Sequence, residues 1–99
     1  MPEQRKPPSK RRAGPEVKAF GRALASIRAE CGLTQESLGF DSDYHPKYIS
    51  LLERGRYSPS LTAIVRLSGA LHVSPSELIH RMEVFLPERS GKSTPATDR

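Results

Sequence analysis

Between residues 16 and 31 the apolar side chains Val17, Phe20, Leu24, Ile27 and Cys31 recur at intervals of three and four. An α-helix turns about once every 3.6 residues, so this spacing lines one face of a helix; a strand would need strict alternation. Such a stripe has to be covered, and the rest of the chain supplies covers of the same kind. Gly32 suits the end of the first helix, because it enters the left-handed conformation without a Cβ penalty. Thr34 can cap a second helix that carries Leu38 and runs to about Asp41. Pro46 suits the first turn of a third helix, where no N–H is needed, and Gly55 suits its end. A fourth helix starts near Ser60 and continues through Leu61, Ile64, Leu67 and Leu71. In Ser74-Pro75-Ser76-Glu77 the serine is a cap, proline takes the first position and Glu77 completes a capping box for a fifth helix. No strand signal and no internal repeat intervenes. The expectation is an all-α bundle, five short helices over residues 16–86.

Ninety-nine residues suffice for one such core and not for two. The net charge of +5 is unevenly placed: residues 1–15 carry +4, residues 16–86 balance to zero and residues 87–99 carry +1. The Pro-rich, basic stretch 1–15 is expected to be a disordered arm and residues 87–99 a flexible tail. The charge excess therefore says nothing about what the folded part binds. No apolar run approaches the roughly 18 residues that crossing a bilayer takes. The basic N-terminus is followed by no apolar stretch, so a secretory signal is not expected. One cysteine, Cys31, permits no internal disulfide and fits a reducing cytoplasm. On the apolar stripe it is expected to be a packed, inert thiol. His45, His72 and His80 lie too far apart in sequence to suggest a metal site, and no cofactor is expected. There is no nucleophile elbow, no glycine-rich phosphate loop and no other catalytic constellation, so an enzyme is not expected.

The third helix carries more information. In HPKYISLLERGR, residues 45–56, Leu51 and Leu52 are neighbours and cannot both point into one core. With about 100° per residue, Tyr48, Ile49 and Leu52 form one face, and Lys47, Ser50, Leu51 and Arg54 the other. Leu52 is then the core leucine, and Leu51 sits among polar side chains.

GLTQESL, YISLLERGRYSPSL and LHVSPSEL, in that order and without a gap from about residue 17 to 80, resemble the Cro/repressor-type (XRE) helix-turn-helix family of bacterial and phage DNA-binding regulators. The HPKYIS–LERG segment is also similar to that of the controller proteins of restriction–modification systems. The resemblance implies a compact five-helix, lambda-repressor-like domain whose third helix enters the major groove of double-stranded DNA, usually in a homodimer on a palindromic operator. It implies a cytoplasmic protein of bacterial or phage origin, on the nucleoid when bound. Leu51 then occupies a position that approaches base edges, where it could pack on a thymine methyl. Lys47 could read a guanine edge or hold a phosphate. Pro46 could make only apolar contact, and the Ser50 hydroxyl could face DNA or bond back to its own helix. Gln35 matches a glutamine that bonds phosphate, with Thr34 and nearby amides beside it. Arg56 and Tyr57 fall in a loop laid along the backbone, and Arg54 either reaches phosphate or is solvated. Arg28 and Glu53 match a pair that forms an internal salt bridge.

The chain departs from the family pattern at the turn before the third helix. Asp43 stands where glycine is usual, Tyr44 where a small apolar residue is usual, and His45 where a serine or threonine cap is usual. His72 replaces a common glycine after the fourth helix, and Gly39-Phe40 favours helix less than the usual residues. Two functions are compatible with these residues: a dimeric transcription regulator, repressor or autoregulator, and an antitoxin-like module that grips a partner protein. Met82, Phe85 and Leu86 bear on both. They could cover a second subunit or a partner, or pack over the first helix.

Overall fold

The computed structural model describes residues 14–87. Residues 1–13 of the expected arm and most of the C-terminal tail fall outside the described residues; Pro15, expected in the arm, instead opens the first helix, behind Gly14 as its cap. Five helices follow one another: α1 (Pro15–Glu30), α2 (Gln35–Ser42), α3 (Pro46–Glu53), α4 (Leu61–Ala70) and α5 (Pro75–Phe85). No strand occurs among the described residues.

The local signals act where the sequence puts them. Thr34 Oγ1 accepts from the Ser37 amide at 3.0 Å, and Ser37 Oγ accepts from the Thr34 amide at 2.9 Å, a reciprocal capping box. Ser60 caps α4 through the Ala63 amide. At α5 only one half of the expected box forms: Ser74 Oγ accepts from the Glu77 amide and also pairs with Ser76 Oγ, while the Glu77 carboxylate does not return a bond to the Ser74 amide. Gly32 has φ 71, and the Gly32 and Leu33 amides reach back to Ala29 and Arg28, which stops α1 in a closed turn. His72 does the same for α4 without being glycine, at φ 61.

Two expectations about packing need correction. Cys31 continues the 3–4 spacing, but α1 has already ended at Glu30; Cys31 is its C-cap and is exposed, with Sγ 3.7 Å from the Leu71 carbonyl. Leu33, beyond the turn, packs on the core instead. Leu61 opens the apolar series expected of α4, yet it is 82 % exposed; Ala63, Leu67 and Leu71 are buried, and Ile64 packs partly buried against them. Leu61 and Val65, four apart, form a second apolar stripe on the solvent side.

The core comprises Phe20, Ala23, Leu24 and Ile27 of α1, Leu38 of α2, Ile49 and Leu52 of α3, Ala63 and Leu67 of α4, then Leu71 and Leu78. Helix α1 is the central element, since it packs along α5 and also against α3. Arg81 of α5 braces it by donating to Ser26 and to both carboxylate oxygens of Glu30, and this holds the Glu30 carboxyl below its ordinary range. Against α3 the approach is closest at Gly21, where an added Cβ would lie 2.4 Å from the Leu52 carbonyl oxygen. Only a residue without a Cβ lets the two backbones meet there.

Candidate nucleic-acid interface

Helices α2 and α3 are held at a fixed angle by a turn of three residues. Asp43 adopts φ 66, the left-handed conformation its family-atypical side chain tolerates, and the Tyr44 amide bonds the Gly39 carbonyl at 2.8 Å. Gly39 has its own reason to be glycine. A Cβ there would stand 2.5 Å from the Tyr44 carbonyl oxygen and 3.3 Å from the Pro46 nitrogen, so α2 would be pushed off the start of α3. Tyr44 is tied down as well: its ring lies 4.9 Å from that of Tyr48, Tyr48 is edge-on to Tyr57 at 6.4 Å, and the Arg66 guanidinium of α4 sits 5.3 Å from the Tyr44 centroid. Burial, and then the neighbouring Tyr44, raise the Tyr48 hydroxyl above its ordinary titration range. This aromatic run links α4, the turn, α3 and the following loop. The i,i+4 pair Tyr44 and Tyr48 was its visible trace in the sequence, while Gly39 gave no sign of its contact role.

Helix α3 divides as its wheel demands. Ile49 and Leu52 are fully buried and Tyr48 packs on the core, whereas Lys47 and Arg54 are exposed and Pro46, Ser50 and Leu51 half-buried. Among the described residues the Ser50 hydroxyl has no protein partner, so it does not bond back to its own helix. Arg56 is exposed, and Tyr57 is half-buried with its ring against Tyr48. Between them and the helix, Gly55 has φ 72, and a Cβ would crowd Lys18 of α1 at 3.0–3.2 Å.

At the other end of the unit, Thr34 is exposed and Gln35 half-buried. Gln35 Nε2 donates to Glu53 Oε1 at 2.9 Å, which the sequence did not indicate. The same carboxylate takes Arg28 Nε at 2.6 Å and Arg28 Nη2 at 2.9 Å, while Arg28 Nη1 donates to the Leu33 carbonyl at 2.9 Å. The hydrogen bonds that Arg28 donates to Glu53 raise its guanidinium further above its already high range. Arg28, Gln35 and Glu53 therefore join α1, the start of α2 and the end of α3 in one node.

Charge on this unit is polarised although the folded part is neutral overall. Lys47, Arg54 and Arg56 lie on α3 and its following loop; Glu36, Asp41 and Asp43 lie on α2 and the turn. Met82 and Phe85 lie elsewhere: both pack against the core, with the Arg22 guanidinium 5.8 Å over the Phe85 ring, and Leu86 is half-buried. A groove of about 480 Å³ opens between α4 and α5, lined by Leu61, Ile64, Val65, Pro75 and Ile79 together with Ser76, His80 and Glu83.

Comparison with known proteins agrees with this geometry. The chain is 42 % identical over 62 residues to the uncharacterized HTH-type transcriptional regulator y4dJ of Sinorhizobium fredii (strain NBRC 101917 / NGR234), an alignment covering 63 % of this chain and 80 % of that one. It is 41 % identical over 61 residues to the control protein C.BamHI of Bacillus amyloliquefaciens, covering 61 % and 75 % respectively. The crystal structure of the restriction-modification controller protein C.AhdI from Aeromonas hydrophila superposes with a TM-score of 0.62 at 38 % identity, over 64 % of this chain and 96 % of that one. The family model described as helix-turn-helix matches residues 24–78, from the middle of α1 into α5. With more than half of its length inside that model and the α2–turn–α3 geometry in place, the chain belongs to the helix-turn-helix family of transcriptional regulators.

Proposed function

We propose that this DNA-binding regulator acts as a dimeric repressor or autoregulator, and that α3 reads the major groove of a palindromic operator. The observation that carries the reading is the division of α3, with Ile49 and Leu52 fully buried and Lys47, Ser50 and Leu51 left on the opposite side. On this reading Lys47 meets a base edge or a phosphate, and Leu51 and Pro46 supply apolar contact. Arg54, Arg56 and Tyr57 follow the phosphate backbone, which positions without specifying. Gln35 uses one amide hydrogen on Glu53 and keeps the second for a phosphate. Beside it, the Gln35 and Glu36 amides open the N-terminus of α2 behind the Thr34 cap, a favourable place for an anion.

Selection of bound sequences from random duplex DNA tests the reading. The expected outcome is an inverted repeat with half-site centres about 34 Å apart. Leu51→Ala should relax preference at one base pair per half-site, whereas Arg56→Ala should weaken all duplexes alike and lower the salt slope by about 1. Recovery of no preferred duplex would sink the reading.

A further inference from the structure

Helix α3 begins in an unusual way. Its first residue, Pro46, has no N–H, and the next three amides all end on one residue. The Tyr48 and Ile49 amides bond the His45 carbonyl at 2.9 and 3.3 Å, and the Lys47 amide bonds the His45 ring at Nδ1, at 3.0 Å. An N-cap normally supplies a hydroxyl or carboxamide oxygen that accepts at any ordinary pH. Here the acceptor is an imidazole lone pair, which exists only while Nδ1 carries no proton. Protonation would remove the acceptor for the Lys47 amide and place a positive charge at the positive end of the helix dipole. Histidine is also the side chain whose charge changes between about pH 5 and 8.

We propose that neutral His45 is a positioning residue for DNA recognition: it fixes the first turn of α3, and Lys47 with it, and proton uptake releases that turn. The proposal rests on the groove-reading role of α3 for its consequence, though not for the cap itself. The charged groups nearest His45 along the chain are Asp41 on α2, Asp43 in the turn and Lys47 on α3, and from α4 the Arg66 guanidinium lies over the ring of the adjacent Tyr44. None of them forms an ion pair with His45. The ring is exposed, so protons reach it without any opening of the fold.

The test uses the full chain, without and then with DNA. Without DNA, the Lys47 amide resonance is followed by NMR from pH 8 to 5, together with the His45 ring protons. The Lys47 amide should move with the same midpoint as the ring, and its exchange protection should fall by about five-fold, the usual worth of a cap. In His45→Asn, which keeps an acceptor and cannot be protonated, the amide should stay in place. A Lys47 amide that ignores the ring titration, or behaves identically in His45→Asn, overturns the proposal whatever the protein binds. With DNA, the readout is the ratio of affinities for a selected duplex and a scrambled one, because attraction of an imidazolium to phosphate strengthens both and cancels. That ratio should drop towards pH 5 in the wild type and hold in His45→Asn. A ratio that is flat in both, with the amide titration seen, overturns the link to recognition while leaving the groove reading intact. Absence of any duplex preference at pH 8 would instead count against the groove reading itself, and the proposed role in recognition would fall with it.

Discussion

Glu53 shows how much a single side chain can carry. Its carboxylate, 7 % exposed, receives two donors from Arg28 and one from Gln35. Replacing it by alanine leaves the guanidinium and the carboxamide facing an empty, mostly buried site. Breaking a buried ion pair from one side costs about 3–5 kcal/mol when both partners are enclosed. Arg28 is 20 % exposed and can recover some water, so Glu53→Ala is expected to lower unfolding stability by roughly 2–3 kcal/mol, measured by urea titration. Arg28→Ala should cost at least as much, since it leaves the more deeply buried carboxylate with only the neutral Gln35 carboxamide. Equal stability of Glu53→Ala and wild type would show that the node is not what holds α3 to α1. The family resemblance pointed to the Arg28–Glu53 pair. It did not point to Gln35 as the third member, because nothing in one-dimensional spacing says which way a carboxamide at the start of α2 will turn.

At the scale of elements, helix-by-helix signals were legible because they are local. Thr34, Ser60, Ser74, Gly32 and Pro46 act within one turn of their own position, and each does what its type predicts. Contacts between elements were not legible in the same way. Gly21 lies in the interior of α1, where glycine costs about 1 kcal/mol relative to alanine. Taken alone, that makes Gly21→Ala a stabilising change. The structure reverses the sign, since the new Cβ would lie 2.4 and 2.6 Å from the Leu52 and Glu53 carbonyl oxygens. These are backbone atoms at the last turn of α3 and cannot swing aside. The helices would have to part, and overpacking of this kind costs about 1–3 kcal/mol. Gly21→Ala is therefore expected to lower the thermal midpoint and to weaken specific DNA binding with it, because α3 itself is displaced. A rise in the midpoint would mean that helix propensity outweighs the contact. Cys31 and Leu61 mislead for a related reason: periodicity cannot tell where a helix stops or which of two apolar stripes finds a cover.

At the scale of the whole molecule, the question is what covers the second stripe. Leu61 is 82 % and Val65 58 % exposed, and with Ile64, Pro75 and Ile79 they line one continuous groove. Isolated surface leucines need no explanation; Leu61 and Val65 instead share one groove, whose lining also includes Ser76, His80 and Glu83. The groove residues lie on α4 and α5 rather than on α2 or α3, so a contact through them leaves the side chains proposed to face DNA open. The proposed reading of a palindromic operator needs two copies related by a two-fold axis, and a self-complementary apolar patch is the simplest surface to supply it. On that proposal, Leu61→Asp with Val65→Asp is expected to shift the dimer to monomer in sedimentation while leaving the monomer folded, since neither side chain belongs to the core. Binding to a two-half-site duplex should fall steeply, because it gives up the avidity of linked half-sites. Binding to a single half-site should hardly change. A wild-type chain that sediments as a monomer at micromolar concentration and still protects two half-sites with a single-site isotherm would remove the groove from the dimer interface.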